Sequence, residues 1–67
     1  MRLVINGEKR TFDQPVATIA LLLEQLAVPA ARTAVELNGS VIEQHQFAAT
    51  ALQDADCLEI VSFVGGG

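Results

Sequence analysis

With 67 residues the chain has room for one domain, and so thin a core leaves little depth for a closed catalytic cavity. A hydrophobic content of 51% fits a folded globule and excludes a disordered chain. Eight acidic against four basic residues give a net charge of -4, which argues against nucleic acid or an anionic membrane as partner and for a partner with a basic docking surface.

The first predicted element is a β-hairpin. Leu3-Val4-Ile5 is rich in strand formers, Asn6-Gly7 tolerates the positive φ of a type I′ turn, and Arg10-Thr11-Phe12 returns as partner. Asp13-Gln14-Pro15 breaks the pairing, because proline cannot donate to a ladder. The period then changes. Ile19, Leu22, Leu23 and Leu26 stand at i, i+3, i+4 and i+7, which makes one apolar stripe on a helix. Thr18 is placed to cap it, and Pro29, by disfavouring helical geometry at Val28, should end it near Ala27.

Ala34 to Leu37 reads as the third strand, turned by Asn38-Gly39 into a short return at Val41-Ile42. Glu43 to Ala51 is mixed and polar, with Phe47 and Leu52 as the expected core anchors. Gln53-Asp54-Ala55-Asp56 is a turn, expected to be of type I, and launches the last strand, Cys57 to Val64. Alternation sends Leu58 and Ile60 to one face and Cys57, Glu59, Val61 and Phe63 to the other. The helix supplies the crossover that lets the first and last strands lie parallel at the centre of the sheet. The fold class is therefore α+β: a β-grasp, with a mixed sheet covered on one face by one helix. Residues 1–64 form that domain and 65–67 a flexible glycine tail.

The single cysteine, Cys57, excludes an internal disulfide and a cysteine-based zinc cage, as suits the cytoplasm. Asn6-Gly7-Glu8-Lys9 interrupts the leading apolar run too early for a secretory signal. The stretch Ile19 to Leu23 is far shorter than the roughly 20 residues a bilayer demands. A cytoplasmic protein with no membrane partner is expected.

The closing Gly65-Gly66-Gly67 is the most informative feature. Chain ends are often frayed and rich in small residues. The functional alternative makes the terminal carboxylate of Gly67 the reactive group, because a chain without Cβ atoms can thread a channel too narrow for other residues. Cys57 reads as a small hydrophobe at a strand start, His45 as a surface loop residue and no metal ligand, and Asp54, Asp56, Glu36 and Glu43 as turn and surface carboxylates. Val61 and Phe63 lie away from the helix, with Val4 expected beside them and Val64 following. They form either a surface covered by the Glu43–Ala51 segment or an apolar patch that docks partners beside the tail.

Three stretches together resemble the ThiS-type sulfur carriers of thiamin biosynthesis, relatives of ubiquitin and of the molybdopterin-synthase small subunit. They are Met1 to Gly7; Thr18-Ile19 with Leu22 to Leu26; and Val35 to Gly39 with Leu52 to Asp56, Leu58 to Ile60 and the glycine tail. Ala55 departs from the glycine usual in the family turn. The resemblance implies a ubiquitin-like fold and a protein co-substrate rather than an enzyme. A ThiF-type adenylating enzyme would use ATP to activate the Gly67 carboxylate, with Gly65 and Gly66 threaded into the partner. A sulfur donor system would convert the carboxylate to a thiocarboxylate, and a ThiG-type thiazole synthase would receive the sulfur. The chain carries no phosphate-binding loop, so the nucleotide belongs to the partner. The alternatives are sulfur donation to molybdopterin or another metabolite, a non-covalent β-grasp binding module, and a protein-conjugating modifier.

Overall fold

The computed structural model describes residues 1–63. Six regular elements appear in the order β1 (Arg2–Ile5), β2 (Glu8–Thr11), α1 (Ile19–Gln25), β3 (Thr33–Leu37), β4 (Ser40–Ile42) and β5 (Cys57–Ser62), with single 3-10 turns at Ala30–Arg32 and Gln44–Gln46. The sheet order is β2-β1-β5-β3-β4. β1 and β5 run parallel at its centre, and the other neighbours are antiparallel. This is the β-grasp arrangement that the chain order predicts.

Both Asn-Gly pairs make the expected two-residue turns. Asn6 and Gly7 hold φ of +52° and +81°, and Asn38 and Gly39 hold +51° and +87°, the paired positive values of a type I′ hairpin. β1 buries Leu3 and Ile5, β3 buries Val35 and β5 buries Leu58 and Ile60, all against Ile19, Leu22 and Leu23 of α1. Each such side chain contributes about 1.5–3 kcal/mol by leaving water. Phe47 and Leu52 are buried as anticipated, and Val16, in the stretch leading to α1, joins them.

The first turn of α1 is fully capped. Leu21 N–H donates to Thr18 Oγ1 (3.2 Å), Ile19 N–H to the Thr50 carbonyl (3.1 Å) and Ala20 N–H to the Phe47 carbonyl (3.1 Å). The Glu43–Ala51 segment therefore wraps the start of the helix, on the covered side of the sheet. At the other end Val28 N–H reaches the Leu23 carbonyl and Ala27 N–H the Glu24 carbonyl, with Ala27 at φ +57°. That is a Schellman closure, so hydrogen bonding stops the helix before Pro29 can act.

Two expectations are corrected here. The turn Gln53 to Asp56 closes with Asp56 N–H on the Gln53 carbonyl, but Ala55 sits at φ +73°. A left-handed third residue marks a type II turn, where glycine is the favoured occupant, and not the type I turn that alanine tolerates. The last strand also ends at Ser62, short of the predicted Val64. Phe63 lies just past it, and Val64 and the tail at 65–67 lie outside the described residues.

Candidate functional site

The chain leaves the sheet at the end of β5, and that exit is held from one side. Phe63 N–H donates to the Arg32 carbonyl (2.8 Å). Thr33 faces Ser62 across the sheet, their hydroxyls 3.3 Å apart, while Thr33 Oγ1 also donates to the Pro29 carbonyl. The backbone approaching the glycines is thus aligned by β3 and the turn before it. Gly65, Gly66 and Gly67, the residues assigned the chemistry, lie outside the described residues, as does Val64.

The sheet face away from α1 carries the predicted apolar residues in the open. Val61 is 53% exposed and Phe63 62%, joined by Val41 of β4 at 72%. The Glu43–Ala51 segment, bonded to the far side of the molecule, does not cover them. Val4 is not beside Val61. Parallel register pairs Val4 with Cys57, and antiparallel register pairs Val61 with Ala34. Four residues of strand separate Cys57 from Val61, about 13 Å at 3.3 Å per residue, so half-buried Val4 belongs to the opposite end of the face. The reason is the register of the parallel pair, which alternation alone does not specify.

Cys57 is exposed on this outer face rather than packed as a small hydrophobe. His45 is a surface residue in the 3-10 turn, its Nδ1 3.5 Å from Glu43 Oε2. Asp54 accepts the Arg2 amide (2.7 Å), and Asp56 accepts the Gln53 amide (2.8 Å) and the Asn38 side-chain amide (3.0 Å), so both carboxylates fix the turn before β5. Among the described residues no group of three His, Cys, Asp or Glu converges to hold a metal ion, and no helix is long and apolar enough to cross a membrane.

Two residues read only as turn formers do more. Asn6 Nδ2 donates to the Ile60 carbonyl (3.0 Å) and Asn6 Oδ1 accepts from Ile60 N–H (2.7 Å). The side chain thereby adds one more rung beside β5 where β1 has already turned away. Asn38 Oδ1 accepts from Cys57 N–H (2.9 Å) at the other end of the strand. No local signal distinguishes these asparagines from ordinary hairpin asparagines. The outer face also holds Glu36 directly opposite Glu59, a pairing that follows from the β3–β5 register.

The model of the ThiS family matches residues 3–67. The crystal structure of a thiamine biosynthesis protein, ThiS, from Geobacter metallireducens superposes with a TM-score of 0.85 at 40% identity, covering all of both chains. A thiazole synthase of Paramagnetospirillum magneticum is 45% identical over 67 residues, all of this chain; the chain spans only 20% of that relative's length. An uncharacterized protein, ycf40, of Pyropia yezoensis is 40% identical over 63 residues, covering 94% of this chain and 87% of that one.

Proposed function

The chain belongs to the ThiS family, and from that premise we propose that it is a sulfur carrier, a protein co-substrate whose reactive group is the carboxylate of Gly67. A partner adenylating enzyme of the ThiF type binds ATP. The Gly67 carboxylate attacks the α-phosphorus, pyrophosphate leaves, and an acyl-adenylate forms. Activation is needed because a free carboxylate is a very poor acyl donor at neutral pH. The terminal sulfur of a donor persulfide then attacks the acyl carbon and expels AMP. A second thiol cleaves the resulting acyl disulfide, forming a disulfide with the donor and leaving a thiocarboxylate on Gly67. Gly65 and Gly66 thread the partners' narrow channels, which their lack of Cβ permits.

The observation that carries this reading is the family match running through Gly67, on a domain whose last described residues, Ser62 and Phe63, are held by Thr33 and Arg32. Thiazole synthase is the proposed acceptor of the sulfur. Two relatives of that name, 45% and 34% identical, contain a segment similar to this whole chain as one fifth of their length, which supports a shared task. Val61 and Phe63, both exposed at the end of β5, form the proposed docking patch, which excludes Val4 at the opposite end of the face. We place the reaction in the cytoplasm, where ATP and the sulfur donor system are at hand.

The test is an intact mass measured after incubation with the adenylating enzyme, ATP and a persulfide donor. The expected product gains one sulfur in place of one oxygen, and a chain lacking Gly67 gains nothing. A parent chain left unchanged by a competent enzyme preparation overturns the carrier reading in favour of a non-covalent binding module. Phe63→Glu is expected to keep the fold, since the residue is exposed, and to weaken partner association.

A further inference from the structure

The open face of the sheet is polarised in charge, and the polarity follows from the register. On β1 and β2 the outward residues are Arg2 and Val4, opposite Thr11 and Lys9. Arg2, Val4, Lys9 and Thr11 line an open hollow of about 310 Å³. On β5, β3 and β4 the outward residues are Glu59 and Val61, opposite Glu36 and Ala34, with Val41 beyond Glu36. One half of the face therefore carries Lys9 and an Arg2 already paired with Asp54, and the other carries two carboxylates without an ion pair, an asymmetry that the net charge of -4 conceals.

The anionic half is arranged against the stability of the isolated chain. Glu36 and Glu59 are directly opposed on neighbouring strands, which sets their Cβ atoms roughly 5 Å apart, and like charges so placed destabilise a sheet. Among the described residues the ion pairs are Arg2–Asp54 and His45–Glu43, and neither engages Glu36, Glu59 or Lys9. Lys9 stands two strands from Glu59, about 10 Å across the sheet, and makes no ion pair with it. Beside the carboxylates stand Val41, Val61 and Phe63, three exposed large hydrophobics.

We infer that this face docks thiazole synthase in one fixed orientation, with a cationic side chain of the synthase seated over Glu36 and Glu59, an apolar contact on Val61 and Phe63, and a carboxylate of the synthase over Lys9. The inference rests on the partner proposed above and adds the chemistry of its surface. The relatives favour such a partner over a second copy of the chain, since two thiazole synthases carry a segment similar to the whole of it. Where the domain is one fifth of a thiazole synthase relative, the covalent link holds the two together.

The experiment measures binding of the unmodified chain to purified thiazole synthase at low and moderate salt. Glu59→Lys and Lys9→Glu are each expected to weaken binding about tenfold at low salt, with smaller losses as salt rises. Lys9→Glu is the decisive variant. If net negative charge alone drew the chain to a basic partner, making it more acidic would tighten binding. Tightened or unchanged binding by Lys9→Glu, unchanged binding by Glu59→Lys, or no binding by the parent each overturns the inference. A second copy as occupant would appear as a parent dimer in sedimentation that both variants dissolve, and it too overturns it. Glu59→Lys relieves the opposed carboxylates and is expected to melt no lower than the parent; should it misfold, Glu59→Gln serves, with a smaller loss. Binding is read without sulfur transfer, so a failure of the carrier chemistry shows in the mass measurement and not here.

Discussion

The two Asn-Gly hairpins share a dipeptide, a turn type and nearly the same dihedral angles, yet they hold the central strand differently. Asn6 offers both a donor and an acceptor to the Ile60 backbone, in a partly buried position, and so extends the ladder past the end of β1. Asn38 offers its oxygen to the Cys57 amide at the exposed start of β5, and its nitrogen to Asp56. β3 pairs with β5 over five registered residues, and β1 over only two. On the β1 side, then, one side chain stands in for missing strand. The comparison teaches that a turn residue can act as structural backbone when the strand beside it is too short.

Removing the two side chains while keeping each turn relaxed breaks the comparison most directly. Asn6→Gly retains the positive φ but leaves the Ile60 N–H and carbonyl without partners in a partly buried place. The expected loss is about 2 kcal/mol, which lowers the melting temperature of a domain this small by roughly 10 °C. Asn38→Gly exposes its freed amide to water and should lose no more than about 1 kcal/mol. Thermal unfolding followed by circular dichroism checks both. Equal losses at the two sites would show that the Ile60 rung adds nothing beyond the turn.

The same contrast separates what the sequence reveals from what it leaves to the fold. Asn-Gly between two strand-like runs is a local signal, and so are the apolar stripe of α1 and its Thr18 cap; each acts within a few residues, and each appears as read. Alternation along β5 was likewise legible, so Leu58 and Ile60 face the core and Val61 and Phe63 face out. What alternation cannot supply is register between strands far apart in sequence. That is why alternation alone sets Val4 beside Val61 while the structure sets it beside Cys57, and why the opposed pair Glu36 and Glu59 has no signature in the sequence. The Asn6 rung depends on a contact 54 residues distant and has no local trace. The glycines that carry the proposed chemistry are legible only as composition and resemblance.

Where the two hairpins should behave alike is in the glycine of each turn. Gly7 and Gly39 hold φ of +81° and +87°, and a Cβ at either would meet no atom within 4 Å. The penalty of Gly7→Ala and of Gly39→Ala is thus conformational alone, about 0.5–1 kcal/mol each as left-handed strain less the unfolded-state gain of alanine. Matched losses in urea unfolding would confirm that the turns are equivalent and that only the asparagine side chains differ. A markedly larger loss for Gly7→Ala would instead place part of the Asn6 effect in the turn itself.

The smallest expected effect runs in the opposite direction. Ala27 and Ala55 adopt φ of +57° and +73° with neither the freedom of glycine nor the side-chain hydrogen bonds of asparagine. Ala55 is held there because its amide donates to the Arg2 carbonyl (2.6 Å) while Asp56 N–H closes the turn on Gln53. A left-handed alanine costs about 1–2 kcal/mol, and glycine returns about 0.4–1 kcal/mol of that as extra freedom in the unfolded chain. Ala55→Gly should therefore stabilise the domain by about 0.5 kcal/mol, as the difference of those two terms. Ala27→Gly, at the Schellman position, should do about the same. Both gains are measurable as a rise in urea midpoint at unchanged slope. A fall for Ala55→Gly would mean that the turn gains more from alanine's restricted unfolded state than it loses to strain, and that the left-handed positions outside the hairpins need no asparagine or glycine at all.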